Sequence, residues 1–144
     1  MLATAESCTG GLIAAAITDV PGASDIFDRG FVTYTNAAKA EMLGVDPALI
    51  AGHGAVSEPV ARAMAEGAIE RSGAALAVSV TGIAGPGGSE HKPEGRVCFA
   101  RAFGGTTHTE MVDFGPLGRS AVRSATVDHA LKLLLDSIAM RPSA

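Results

Sequence analysis

The chain has 144 residues, 47% of them hydrophobic and 18% charged, with a formal net charge of −4. That length fits one domain, residues 1–144, with a core of its own. The scattered Lys and Arg exclude the basic stripe that a nucleic-acid backbone requires, and no apolar run is long enough to span a bilayer.

Leu2 to Glu6 reads as a short buried strand. Leu12, Ile13, Ala16 and Ile17 then recur at helical spacing over Thr9–Thr18, and Val20-Pro21-Gly22 stops that helix. Phe27 to Thr35 reads as a second strand, followed by a helical turn over Ala37–Leu43 that Gly44 ends. Asp46-Pro47 starts another short helix. Ser57-Glu58-Pro59 opens a longer one, with Ser57 as N-cap, that runs to about Arg71 and ends at Gly73.

Ala75–Thr81 is a continuous apolar run and predicts a central strand. Gly95–Phe103 and Thr106–Phe114 predict a hairpin turning at Gly104-Gly105. Arg119–Ile138 predicts a long helix with Val122, Val127, Ala130, Leu131, Leu134 and Leu135 on its apolar side, and Met140–Ala144 is expected to fray. Alternating strands and helices with a late hairpin give the fold class: a three-layer α/β/α domain around a mixed sheet. Aromatics make up 4% and Trp is absent, so the core is built from Ala, Val, Leu and Ile.

Chemistry concentrates at three strand ends. Thr4-Ala5-Glu6-Ser7-Cys8-Thr9-Gly10-Gly11 places a carboxylate, a hydroxyl and a thiol where a strand becomes a helix. A nucleophile there is exposed, and backbone N–H groups along Cys8–Gly11 can hold an oxyanion or phosphate. Ser7 is therefore a candidate nucleophile or simply the helix cap. Cys8 competes as nucleophile, but no His is offered as its base. Glu6 either orients a neighbour or caps the helix.

Tyr34 and Lys39 follow the second strand. Lys39 can act as general base for a serine if burial keeps its amine neutral, and the Tyr34 phenol can relay a proton or orient lysine or substrate. Val80-Thr81-Gly82-Ile83-Ala84-Gly85-Pro86-Gly87-Gly88 is a donor-rich loop that can wrap a phosphate or act as a lid. It lacks the Lys-Ser/Thr pair of a P-loop. Arg119 and Arg123 open the last helix and suit an anion or a salt bridge. Cys8 and Cys98 form neither a disulfide framework nor a zinc site, and His53, His91, His108 and His129 lack metal-ligand spacing. No metal and no cofactor is expected.

Together these segments resemble the C-terminal domain of the competence/damage-inducible CinA family, whose stand-alone members include nicotinamide-nucleotide amidases. The resemblance rests on Thr4–Gly11, on Gly30-Phe31-Val32-Thr33-Tyr34-Thr35-Asn36 with Lys39, on Gly54-Ala55-Val56-Ser57, on Val80–Gly88, and on Lys92-Pro93 with Gly95 through Arg119–Leu131.

It implies deamidation of nicotinamide mononucleotide to nicotinate mononucleotide and ammonia, with neither metal nor organic cofactor. Ser7 would be the nucleophile, Lys39 its base and Tyr34 an assistant, all three catalytic. Thr81 and Arg119 fall at positions like the family's substrate-binding ones. Thr9, Gly10, Gly11 and Gly82 complete the expected substrate-binding set, from their place in the donor-rich turns.

The family domain usually begins with a helix before the Thr-Ala-Glu-Ser strand, whereas Met1-Leu2 stands there in this sequence. It also commonly carries Gly-Asp-Arg before the last helix, where this chain has Pro116-Leu117-Gly118-Arg119. The expected partners are a small nucleotide substrate and further copies of the chain, with no nucleic acid and no membrane. No basic leader precedes the first strand, so the expected compartment is the cytoplasm. Open alternatives are a catalytically silent nucleotide-binding module and an amidase for another small amide.

Overall fold

The computed structural model describes residues 1–139; the expected fraying of Met140–Ala144 falls outside the described residues. Among the described residues, five strands and five α-helices follow in chain order: β1 (Leu2–Glu6), α1 (Leu12–Thr18), β2 (Phe27–Val32), α2 (Asn36–Leu43), α3 (Pro47–His53), α4 (Glu58–Glu70), β3 (Leu76–Gly82), β4 (Arg96–Phe103), β5 (Thr106–Asp113) and α5 (Arg119–Ala139). A single 3-10 turn, Ala23–Asp25, precedes β2.

The strands form one mixed sheet in the order β2-β1-β3-β4-β5. β2, β1 and β3 run parallel, and β4 and β5 return antiparallel. The β1–β2 connection carries α1 over one face, and the β2–β3 connection carries α2, α3 and α4 over the other. The carboxyl ends of β1 and β3 thus border a topological switch point, where open α/β sheets bind their ligands.

Strand alternation divides the core by side-chain size. Leu76, Val78 and Val80 of β3 and Val97 and Phe99 of β4 pack with Ile13 and Ile17 of α1 and Val122, Ala130, Leu133 and Leu134 of α5. The opposite face carries Ala3, Ala5 and Ala77, with Cys98, Ala100 and Ala102. Small side chains there let α4 lie close enough for Ser79 Oγ to donate to its Ala61 carbonyl at 2.6 Å.

Three expectations change. β2 stops at Val32 rather than Thr35, because the Thr35 hydroxyl accepts from the Ala38 amide at 3.0 Å and caps α2. α1 begins at Leu12 rather than Thr9, because Gly10 and Gly11 both hold positive φ. On α5, Leu135 is 65% exposed, and the buried line runs through Val122, Thr126, Ala130, Leu133, Leu134 and Ser137. Ser57 and Asp46 cap α4 and α3 as their spacing indicates.

At Gly67 of α4, an added Cβ would collide with the Leu43 carbonyl oxygen at the end of α2. Alanine is favoured over glycine inside helices by about 1 kcal/mol. Here the backbone approach reverses the sign: Gly67→Ala lowers stability by about 1–3 kcal/mol in urea unfolding. A more stable variant would show that α2 and α4 are not held at this distance.

Candidate active site

The three motif segments meet at the carboxyl ends of the parallel strands. Ser7 follows β1, the Thr33–Lys39 stretch follows β2, and the 83–90 loop follows β3. They line an open cavity of about 360 Å³, with Ser7, Lys39, Tyr34, Thr81, Gly82 and Arg119 in its wall. Asn36, Ala55, Val56 and Glu90 also line it.

Glu6 organises the turn that presents Ser7. Its carboxylate is buried and accepts from the Thr9 hydroxyl at 2.5 Å and from the amides of Ile13 and Ala14 at 2.9 and 3.0 Å. Glu6 thereby satisfies the orphan donors at the start of α1 and places negative charge at its positive end. Ser7 is not the cap, and its side chain is free for another use. Its amide donates to the Val80 carbonyl at 3.1 Å, which fixes the residue against β3. Arg123 braces the turn from outside, donating to the Cys8 and Thr9 carbonyls at 3.1 and 3.2 Å.

Lys39 is 1% exposed. Its Nζ donates to Ser7 Oγ at 3.0 Å, to the Thr33 carbonyl at 3.0 Å and to the Tyr34 carbonyl at 3.3 Å. Ser7 Oγ lies 3.4 Å from that same Tyr34 carbonyl. Three donors meet three neutral acceptors, and among the described residues no carboxylate lies within ion-pair distance of the ammonium. Burial therefore dominates and holds the Lys39 pKa below its usual 10.5; Glu90 and an ionised Cys8 oppose this more weakly.

Cys8 is buried, and burial pushes its thiol up to about 11. It is a neutral thiol near pH 7 and a poor competitor for the nucleophile's role.

Tyr34 takes part differently from the expectation. Its main-chain carbonyl, not its phenol, meets Lys39 and Ser7. The phenol is half exposed and accepts from Arg119 Nη2 at 2.8 Å, while Arg119 Nη1 donates to the Gly85 carbonyl at 2.8 Å. Arg119 thus bridges the strand-end segment and the Gly-rich loop at the cavity mouth. Thr81 Oγ1 donates to the Ala55 carbonyl at 2.9 Å, tying β3 to the segment before α4.

Thr9, Gly10 and Gly11 are not among the lining residues. The Gly10 amide bonds the Ser7 carbonyl, and Glu6 already fills the helix terminus behind them. Within this turn the Gly10 amide is thus taken up by the protein itself. Asn36 and Glu90 went unnoticed in the sequence, since nothing local marks a residue that only tertiary folding brings to the cavity.

The model of the CinA C-terminal domain matches residues 1–138. The chain belongs to the CinA C-terminal domain family.

A CinA-like protein of Akkermansia muciniphila is 58% identical over 142 residues, covering 97% of this chain and 34% of its own length. A putative competence-damage inducible protein of Symbiobacterium thermophilum is 67% identical over 142 residues, covering 92% of this chain and 33% of its own. The chain therefore spans about a third of the length of these curated relatives.

Among solved structures, the competence/damage inducible protein CihA of Agrobacterium tumefaciens superposes with a TM-score of 0.91 at 52% identity, over 94% of this chain and 84% of that one. The competence damage-inducible protein A of Klebsiella pneumoniae gives 0.94 at 38% identity, over 98% and 88%. No helix among the described residues is long and apolar enough to cross a membrane.

The Glu6 cap yields a direct test. In Glu6→Ala, two amides and a hydroxyl lose a charged acceptor inside the protein, so stability falls by about 2–3 kcal/mol in chemical unfolding. Unchanged stability would contradict the cap.

Proposed function

We propose that this CinA-family domain is an amidohydrolase that converts nicotinamide mononucleotide to nicotinate mononucleotide and ammonia. The observation that carries the reading is the 3.0 Å contact between Lys39 Nζ and Ser7 Oγ, formed by a buried lysine with no carboxylate partner among the described residues.

In its neutral form Lys39 has a lone pair to accept the Ser7 proton as Oγ adds to the carboxamide carbon. The ammonium so formed rests on the Thr33 and Tyr34 carbonyls, which already lie within bonding distance. It returns the proton to the departing nitrogen, and ammonia leaves. Water then adds to the acyl-enzyme with Lys39 again as base, giving the carboxylate and regenerating Ser7.

The pyridinium ring withdraws electrons and makes the amide carbon more electrophilic. In this reading the oxyanion takes its donor from the main chain of Cys8, the residue after the nucleophile and part of the cavity wall. Arg119 at the mouth receives the phosphate, exchanging neutral acceptors for an anion.

Purified protein incubated with nicotinamide mononucleotide should release ammonia. Ser7→Ala should abolish release with the fold intact, and Cys8→Ala should retain most of it. Nucleotide binding without ammonia release would favour a silent binding module, and full activity in Ser7→Ala would sink the mechanism.

The pH dependence has a definite sign. Only neutral Lys39 is competent, so kcat/KM rises with pH through an apparent pKa below 10.5. Between that folded-state value and 10.5 the unfolded chain binds the extra proton, so this group makes stability rise with pH over the same window. Lys39→Met should remove the activity limb and lower kcat by about 10²–10⁴-fold. A rate that falls as pH rises across this window would contradict the assignment.

A further inference from the structure

The loop after β3 contains a turn that its residues do not favour. Ser89 and Lys92 exchange backbone hydrogen bonds at 3.0 and 2.8 Å, closing a two-residue turn over Glu90 and His91. Both hold left-handed backbone, with φ of 52° and 63°. The β4–β5 hairpin uses the same two-residue, positive-φ turn and fills it with Gly104 and Gly105. A turn of this kind prefers Asn-Gly or Gly-Gly, and a side chain in left-handed backbone costs about 1–2 kcal/mol per residue. Such strain in a cavity wall points to a role for the side chain it aims.

The side chain that benefits is Glu90. It lines the cavity shared by Ser7 and Lys39. Its carboxylate lies beside Gly54, where an added Cβ would stand 2.6 Å from Oε2 and 2.8 Å from the Lys92 Nζ. Lys92 is held by the carbonyls of His53 and Val56. Among the described residues, Glu90 has no hydrogen-bond or ion-pair partner. The charged side chains in the wall are Lys39, Glu90 and Arg119. With Lys39 neutral for catalysis, one anion and one cation remain in the wall, and the Lys92 ammonium lies near Glu90 without pairing with it.

We propose that Glu90 is a specificity residue of the cavity wall that selects a positively charged heteroaromatic amide. This rests on the amidase reading and deepens it. A pyridinium carboxamide brings a full positive charge towards Glu90, and its phosphate is left for Arg119. After hydrolysis the new carboxylate cancels the ring's charge, and Glu90 no longer attracts that end. The same side chain thus favours substrate over product.

The test is calorimetry on Ser7→Ala protein, with and without Glu90→Gln, titrated with nicotinamide mononucleotide and with nicotinate mononucleotide. The expected result is about a fivefold loss of affinity for the amide nucleotide, the size of one solvent-screened ion contact. The acid nucleotide should keep or gain affinity. Glu90→Asp should recover part of the loss, and His91→Gly, which relaxes the turn but keeps the charge, should retain the discrimination.

Equal changes for both nucleotides, no change for either, or discrimination lost in His91→Gly would overturn the proposal. Ammonia release by the Ser7 protein separates the two claims. Release with a silent Glu90→Gln overturns only the specificity role, and discrimination without release overturns only the amidase reading. If neither nucleotide binds, both fall.

Discussion

A lysine ammonium buried against a serine hydroxyl and two peptide carbonyls is the constraint around which the strand ends are arranged. An isolated buried charge is costly unless its donors are all met. Lys39 meets that condition with Ser7 Oγ, Thr33 O and Tyr34 O, and so requires β1, the stretch after β2 and the first turn of α2 in fixed relation. The arrangement satisfies the ammonium geometrically without neutralising it electrically. A carboxylate in place of either carbonyl would stabilise the charged form. On the amidase proposal, the site's reactivity and its cost to the fold have the same origin.

The remainder of the molecule holds those segments still. Glu6 closes the start of α1 from inside, leaving Ser7 with no capping duty, and Arg123 clasps the same turn from α5. The alanine-rich face beneath α4 lets the helix sit low enough for Ser79 and Thr81 to bond its first turns and the Ala55 carbonyl before it. Close packing on that face therefore bears on the cavity wall as directly as any side chain in it. Arg119 and the strained turn at Glu90 bring one cation and one anion to the cavity wall.

Much of this was legible in the sequence because it is local. The apolar run Leu76–Val80, the caps at Asp46 and Ser57 and the Gly104-Gly105 hairpin each announce themselves within a few residues. The Ser7–Lys39 pair was accessible through the motif resemblance, although spacing alone left Ser7 divided between cap and nucleophile. What removes the cap reading is the Glu6 carboxylate seven and eight residues before the amides it bonds, a reach no periodicity reveals. The Tyr34 main chain, Asn36 and Glu90 escaped for a related reason: a carbonyl has no sequence signature, and an exposed loop glutamate gives no local sign of the cavity it borders. Leu135 shows the converse error, an apolar residue on the solvent side of a helix whose buried line passes through Leu134 and Ser137.

The most direct test is the titration of Lys39 itself, followed by NMR of the lysine side-chain carbons in the intact protein, with Lys92 and Lys132, the chain's other lysines, as internal references. A Lys39 signal that titrates clearly below 10.5, with a midpoint that moves in Ser7→Ala, is the predicted result. A Lys39 that titrates at or above 10.5 and ignores Ser7 would contradict the account, because a base held permanently charged cannot take the serine proton.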